Sequence, residues 1–193
     1  MKRLVLLLAL ITFSLVARAG NDTDAAFRNL ADEYISDLAS LSPVNATLIG
    51  EHSADGELDR VDGAARAEVL DLLQQYRTAL TALDFDRLSR ANQVDADMLL
   101  HNLESSIWSL ETLQEWAWNP LYYVNISGSS IYGLLARDFA PLPERLRSAT
   151  SRLEQMPRFL EQARSALQPA RVPRIHAETA VDQNPGLGSI IDT

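Results

Sequence analysis

Residues 142–167 read LPERLRSATSRLEQMPRFLEQARSAL. Leu146, Ala149, Leu153, Met156, Leu160, Ala163 and Leu167 recur at steps of three and four, the spacing of one face of an α-helix. Pro141 and Pro143 set up its start, and Pro157 falls inside, where a proline removes one backbone hydrogen bond. A strand would alternate apolar and polar residues, and this segment does not.

The same period recurs upstream. Phe27, Leu30, Tyr34, Leu38 and Leu41 line a first helix that Asp22 or Thr23 can cap, with Pro43 as its end. Asn45–Ile49 adds a turn stopped by Gly50, and Glu51–Gly63 is a loop rich in Asp, Gly and Ser. Val69, Leu72, Leu73, Tyr76, Leu80 and Leu83 predict a helix over 64–83. A third, over 91–117, carries Val94, Met98, Leu99, Leu103, Ile107, Leu110 and Leu113, a face broad enough to predict burial on more than one side. Leu121–Ser130 (LYYVNISGSS) reads as a structured loop, Ile131–Phe139 as a short helix. A last segment begins near Arg174, is interrupted at Asn184-Pro185-Gly186 and resumes over Leu187–Ile191. No strand pattern and no repeat stands out. The fold class is all-α, an antiparallel helical bundle.

Bulk properties narrow the function. The chain has 193 residues, a formal charge of -9 and no cysteine. Disulfides, thiolate metal sites and cysteine nucleophiles are thereby excluded. The negative charge argues against nucleic acid and against an anionic membrane surface. Met1-Lys2-Arg3, an apolar run from Leu4 to Val16 and Ala17-Arg18-Ala19 predict a secretory signal peptide over 1–19, cut after Ala19. The run is short for a membrane span, and no cysteine follows it to accept a lipid, so no stable membrane anchor is expected after cleavage. The mature segment is 20–193, and the periplasm is its expected compartment. The apolar stretch at the C-terminal end predicts that 20–193 is the N-terminal segment of a longer domain.

No catalytic set emerges. The histidines are His52, His101 and His176, and none has the four-residue spacing of a helical zinc pair. In His176-Ala177-Glu178 the two polar groups point to different faces, which favours an ordinary helix surface. Glu51-His52 with Asp55 and Asp59 surrounds an imidazole with carboxylates; it can hold a cation or orient a substrate, but loops of this kind more often bond their own backbone. His101 is expected buried or half-buried with a hydrogen-bond partner. Trp108, Trp116, Trp118, Tyr122, Tyr123 and Tyr132 serve either core packing or a binding cleft. His52, Asp55, Trp118, Tyr122 and Tyr123 are the candidate substrate contacts, with no catalytic residue and no metal ligand in the chain.

Two stretches carry a resemblance: SPVNATLIGEHSADGELD over 42–59, and 141–183 with Leu-Pro-x-Arg-Leu, Met-Pro-x-Phe-Leu and Pro-Arg-Ile-His-Ala-Glu-Thr-Ala-Val-Asp-Gln. In order and spacing they resemble the N-terminal part of domain of unknown function family 885, exported or lipid-anchored bacterial proteins. Gly50, His52, Asp55, Leu58, Pro157 and Glu178 fit its pattern. The resemblance implies a longer helical protein of zinc-peptidase architecture, two lobes enclosing a cleft. It also implies a metal site far toward the C-terminus, in a His-Glu segment followed by Pro-Gly-His. Nothing here matches that segment. The chain is then expected to be the wall or lid of a cleft for a peptide, with zinc bound only by the full-length protein. The alternative is a stand-alone periplasmic helical module that binds a peptide or partner without catalysis.

Overall fold

Every regular element among the described residues is helical. The computed structural model describes residues 2–189, and the side chains of residues 22–186. In chain order the helices are α1 (Lys2–Leu41), α2 (Pro43–Ile49), α3 (Gly63–Thr81), α4 (Arg90–Trp108), a π-helical turn (Ser109–Leu113), α5 (Glu115–Trp118), α6 (Pro120–Leu135), α7 (Leu142–Ala166) and α8 (Arg174–Ser189). The expected leader's side chains and residues 190–193 lie outside the described residues. No helix among the described residues is long and apolar enough to cross a membrane.

The chain divides into two compact units. The first comprises Met1–Ile35 and Leu73–Ile107. Its core includes Phe27 and Tyr34 from α1, Leu73, Tyr76 and Leu80 from α3, and Ala96, Leu103 and Ile107 from α4. Tyr34 meets Tyr76 edge-on at 5.3 Å and donates its hydroxyl to Asn102 at 3.3 Å. Ser89 caps α4, its hydroxyl accepting from the Asn92 amide at 3.4 Å. The Ser89 amide in turn donates to the Asp24 carboxylate at 2.8 Å, which holds that carboxyl below its usual value.

The second unit comprises Ser36–Leu72 and Trp108–Thr193. Here α6 is the hub, packed against α2, α5, α7 and α8. One core cluster joins Val44, Leu58, Val61, Tyr123, Phe159 and Ala163; a second joins Ile131, Leu134 and Ala149. Gly133 lets α6 approach α2: a Cβ there would lie 3.3 Å from Leu48 and 3.7 Å from Thr47.

Several expectations are corrected. The stretch 121–130 is helix, not loop. Asn119 caps it, accepting from the Leu121 amide at 3.1 Å, and Pro120 occupies the first turn, where its missing N–H costs nothing. Ser127 and Ser130 turn their hydroxyls back to the carbonyls of Tyr123 and Ser127, so these weak helix formers sit buried without an open polar group. That helix also absorbs Ile131–Leu135, and 136–139 is not helical. Helix α1 does not begin at Asp22 or Thr23 but runs through them, since no proline interrupts it. Likewise α8 passes through Asn184-Pro185-Gly186 without interruption. Val94 and Met98 of α4 are exposed, so its broad apolar face is not covered on more than one side, and His101 is exposed rather than half-buried. On α7 the buried face is Arg145, Ala149, Arg152, Phe159 and Ala163, while Leu146 and Leu160 face solvent.

The junction 109–118 is unusual. The π-helical turn ends on Gln114, which has φ 51, a left-handed conformation that β-branched residues resist. Carbonyls freed there are taken by indoles: Trp116 donates to Leu110 at 3.1 Å and Trp118 to Leu113 at 2.9 Å. Gln114→Val is therefore expected to cost about 1–3 kcal/mol, while Gln114→Gly melts within a degree or two of the parent. Thermal melts followed by circular dichroism check the pair.

Candidate functional site

The loop 51–62 has almost no secondary structure, so its backbone groups need partners from elsewhere. Helix α7 supplies them from one polar stripe. Ser151 donates to the Gly56 carbonyl at 2.8 Å, and Arg152 Nε to that of Glu57 at 2.8 Å. Gln155 donates to Gly56 at 2.8 Å and accepts from the Leu58 amide at 3.1 Å. Arg158 reaches the Leu58 carbonyl at 2.8 Å, and Gln162 accepts from the Val61 amide at 3.1 Å. The loop is thus read by side chains much as a strand is read by a neighbouring strand.

At its entrance, α2 closes with a left-handed Gly50 at φ 94. The Gly50 amide donates to Thr47 and the Glu51 amide to Ala46 at 2.9 Å, the paired bonds of a Schellman stop. This explains the glycine in Gly-x-His: it turns the chain so that His52 folds back. His52 Nδ1 lies 3.0 Å from Asp55 Oδ2, and its ring stacks on Phe139 with centroids 3.7 Å apart. Asp55 Oδ1 accepts from the Thr47 hydroxyl at 2.6 Å.

Below this pair sits Arg152, with no solvent exposure. Its Nη1 donates to the Ser130 carbonyl at 2.8 Å, and its Nη2 to the Pro43 carbonyl at 3.0 Å and the Thr47 hydroxyl at 2.7 Å. One guanidinium therefore ties α2, the loop and α6 to α7. Burial pulls it below the usual arginine range, and Asp55 and Asp59 oppose that pull. Asp59 is also buried, accepting from the Val44 amide at 2.9 Å and the Ser42 hydroxyl at 3.1 Å.

The carboxylates thus face inward. Zinc needs several free donors converging on one point. Asp55 and Asp59 already serve Thr47, His52, Val44 and Ser42 beside a cation, and among the described residues no group of three or more His, Cys, Asp or Glu is placed to hold a metal. This donor set does not fit zinc.

Asp59 carries a pH signature. Burial raises its carboxyl above the ordinary value of 3.8, against the Val44 amide, the Ser42 hydroxyl and Arg152. A raised carboxyl means the folded chain binds the proton more tightly than the unfolded one. That contribution is therefore lost as pH rises from the ordinary carboxylate range through the raised value. Asp59→Asn, which keeps an acceptor for Val44, is expected to flatten stability against pH in that window. Urea unfolding at stepped pH reads it.

The aromatic candidates form a second group. Tyr123 is buried, donates its hydroxyl to the Trp116 carbonyl at 2.6 Å and packs on Phe159; burial raises its phenol to about 12. Tyr122 is 38% exposed and meets Tyr123 edge-on at 5.1 Å. Arg66 lies over the Trp116 ring at 4.1 Å. Trp118 stacks with His176 at 5.6 Å. Of the five candidate contacts, His52 joins Asp55 and Tyr122 joins Tyr123, while Trp118 pairs with a histidine outside that set. Sequence reasoning missed Arg152, Thr47 and Phe139. The available signal was Arg145, Arg152 and Phe159 at seven-residue spacing, which puts two arginines on a core face.

A family model described as a bacterial protein of unknown function, DUF885, matches residues 43–193. A solved structure from Shewanella oneidensis, described as a candidate lipoprotein of unknown function, is similar at 30% identity with a TM-score of 0.77. The similarity covers 83% of this chain and 29% of that one, so the chain spans under a third of its relative's length. No curated protein matches.

Proposed function

The chain belongs to the DUF885 family, and on that premise we propose that it is the N-terminal helical part of an exported, metallopeptidase-like hydrolase. In this reading it forms a wall or lid of a peptide-binding cleft in a two-lobed helical fold, its helices running antiparallel, and the rest of the polypeptide holds the metal. The observation that carries it is the match to under a third of a much longer relative. The inward-turned carboxylates support it, because they make the loop 51–62 a rigid support rather than a reaction centre. A rigid wall is what substrate positioning requires, since small misplacements of a substrate are expensive. Exposed Tyr122 and the loop's outer edge, with Glu51 and Ser53, are then the parts that meet a peptide. Export to the periplasm fits the relative's description as a candidate lipoprotein.

The test is made on the longest product of the locus. The expected result is cleavage of an unstructured peptide that a chelator abolishes and added zinc restores. A long product that neither cleaves peptides nor binds one at the exposed tyrosine overturns the reading. Peptide binding without cleavage moves the protein to the stand-alone binding class.

A further inference from the structure

Between the start of α3 and the end of α7 lies an open cleft of about 260 Å³, lined by Asp62, Gly63, Arg66, Glu161, Gln162 and Ser165. Its acidic groups are already engaged. Asp62 Oδ1 accepts from the Ala65 amide at 2.8 Å and so caps α3, and Asp62 Oδ2 accepts from Gln162 Nε2 at 2.6 Å. Glu161 accepts from Arg164 Nε and Nη2, each at 3.0 Å. Arg66 is the opposite case. Its guanidinium lies over the Trp116 ring at 4.1 Å, and Nη1 donates to the Val61 carbonyl at 2.6 Å. Among the described residues no carboxylate pairs with it. The chain has a formal charge of -9, so carboxylates are not scarce, and an arginine left without one in a cleft is notable. A Cβ at Gly63 would lie 3.6 Å from Arg66 Nη2, and the glycine leaves that space open.

We propose that this cleft binds a carboxylate of a peptide, with Arg66 as its counter-ion. A guanidinium matches a carboxylate in one plane, through two parallel N–H bonds. The indole beneath holds that plane in place without neutralising its charge, so the fork is set before the ligand arrives. The neighbouring Asp62 and Glu161 favour a singly charged group over a phosphate dianion. The cleft is smaller than the roughly 300–1,000 Å³ that hold drug-sized ligands, which suits one side chain or one chain end. The inference rests on the proposed function, in which Tyr122 meets a peptide. Burial and then the Asp59 carboxylate raise the Tyr122 phenol, and the Arg66 charge opposes them, so tyrosine and guanidinium lie within electrostatic reach of each other. A peptide passing Tyr122 can set an acidic side chain or its C-terminal carboxylate on Arg66.

The test is isothermal titration calorimetry of the full-length product of the locus with three acetylated alanine-glycine-serine peptides of equal length. One has a free C-terminal carboxylate, one is amidated with a central glutamate, and one is amidated without an acid. At least one acidic peptide is expected to bind about tenfold or more tighter than the neutral one at low ionic strength, a margin that shrinks with added salt. Which acidic peptide carries the margin identifies the source of the carboxylate. Arg66→Gln is expected to remove the margin and leave the neutral peptide's affinity unchanged. Ser165→Glu, at an exposed position on the rim, sets a like charge in the cleft and is expected to do the same. It serves alone if Arg66→Gln does not fold. Equal affinity for the three peptides overturns the proposal, as does a margin that survives either folded variant, or no binding of any peptide. A product that cleaves neutral and acidic peptides alike sinks this inference alone. A margin lost in both variants of a product without metal or cleavage sinks the hydrolase reading alone.

Discussion

Arg152→Met is expected to destabilise the chain by about 3–5 kcal/mol, because it removes the fully buried cation of a polar knot and leaves its partners behind. The Glu57 carbonyl loses its donor, those of Pro43 and Ser130 lose one of theirs, and Asp55 and Asp59 lose the charge that offsets their burial. An unsatisfied buried acceptor costs about 1–3 kcal/mol by itself, so the knot fails as a unit. At this chain length the loss corresponds to a fall of roughly 10 °C or more in Tm. Arg152→Lys keeps the charge yet cannot reach three backbone segments from one planar fork, and it recovers only part of the loss. A methionine variant that melts within about 2 °C of the parent would show that the knot is ornamental.

Phe159→Ala is expected to cost about 3–5 kcal/mol for a different reason. Phe159 has no exposed surface and stands where Val44, Leu58, Val61, Tyr123 and Ala163 converge. Those neighbours come from α2, the loop, α6 and α7, and α7 cannot close over the gap without breaking the hydrogen bonds by which it holds the loop. The missing ring also removes the edge-on contact with Tyr123 at 6.2 Å. Phe159→Leu refills most of the volume and is expected to restore half or more of the loss. Urea unfolding midpoints for the three proteins separate a cavity effect from a general loss of fold. An alanine variant with an unchanged midpoint would mean that Phe159 lies outside the cooperative core.

The helical class was legible because apolar spacing at three and four survives along most of the chain. What failed did so where composition opposed the environment. LYYVNISGSS is poor in helix formers, but Asn119 and Pro120 start a helix there, and packing against four neighbours overrides propensity. On helix α7 the expected face turns inward at Ala149 and Ala163 and packs on the core at Leu153 and Met156, but Leu146 and Leu160 face solvent. Two arginines occupy its core face, and an arginine normally marks the outside. Gly50 was read as a stop, and it is one. The roles of His52 and Asp55 could not be read, because they depend on Phe139 and Thr47, far from the histidine in the chain or on another element. Acidic residues around a histidine look alike in sequence whether they face solvent or an internal guanidinium.

Zinc stoichiometry in the purified full-length product of the locus, set beside that of the chain Met1–Thr193, tests the central claim most directly. The account predicts metal bound in near one-to-one ratio by the long protein and only trace metal in the 193-residue chain, unchanged by His52→Ala. Stoichiometric zinc in the short chain that disappears with His52→Ala would contradict it, and would make the loop at Gly50–Asp59 a metal centre rather than the support of one.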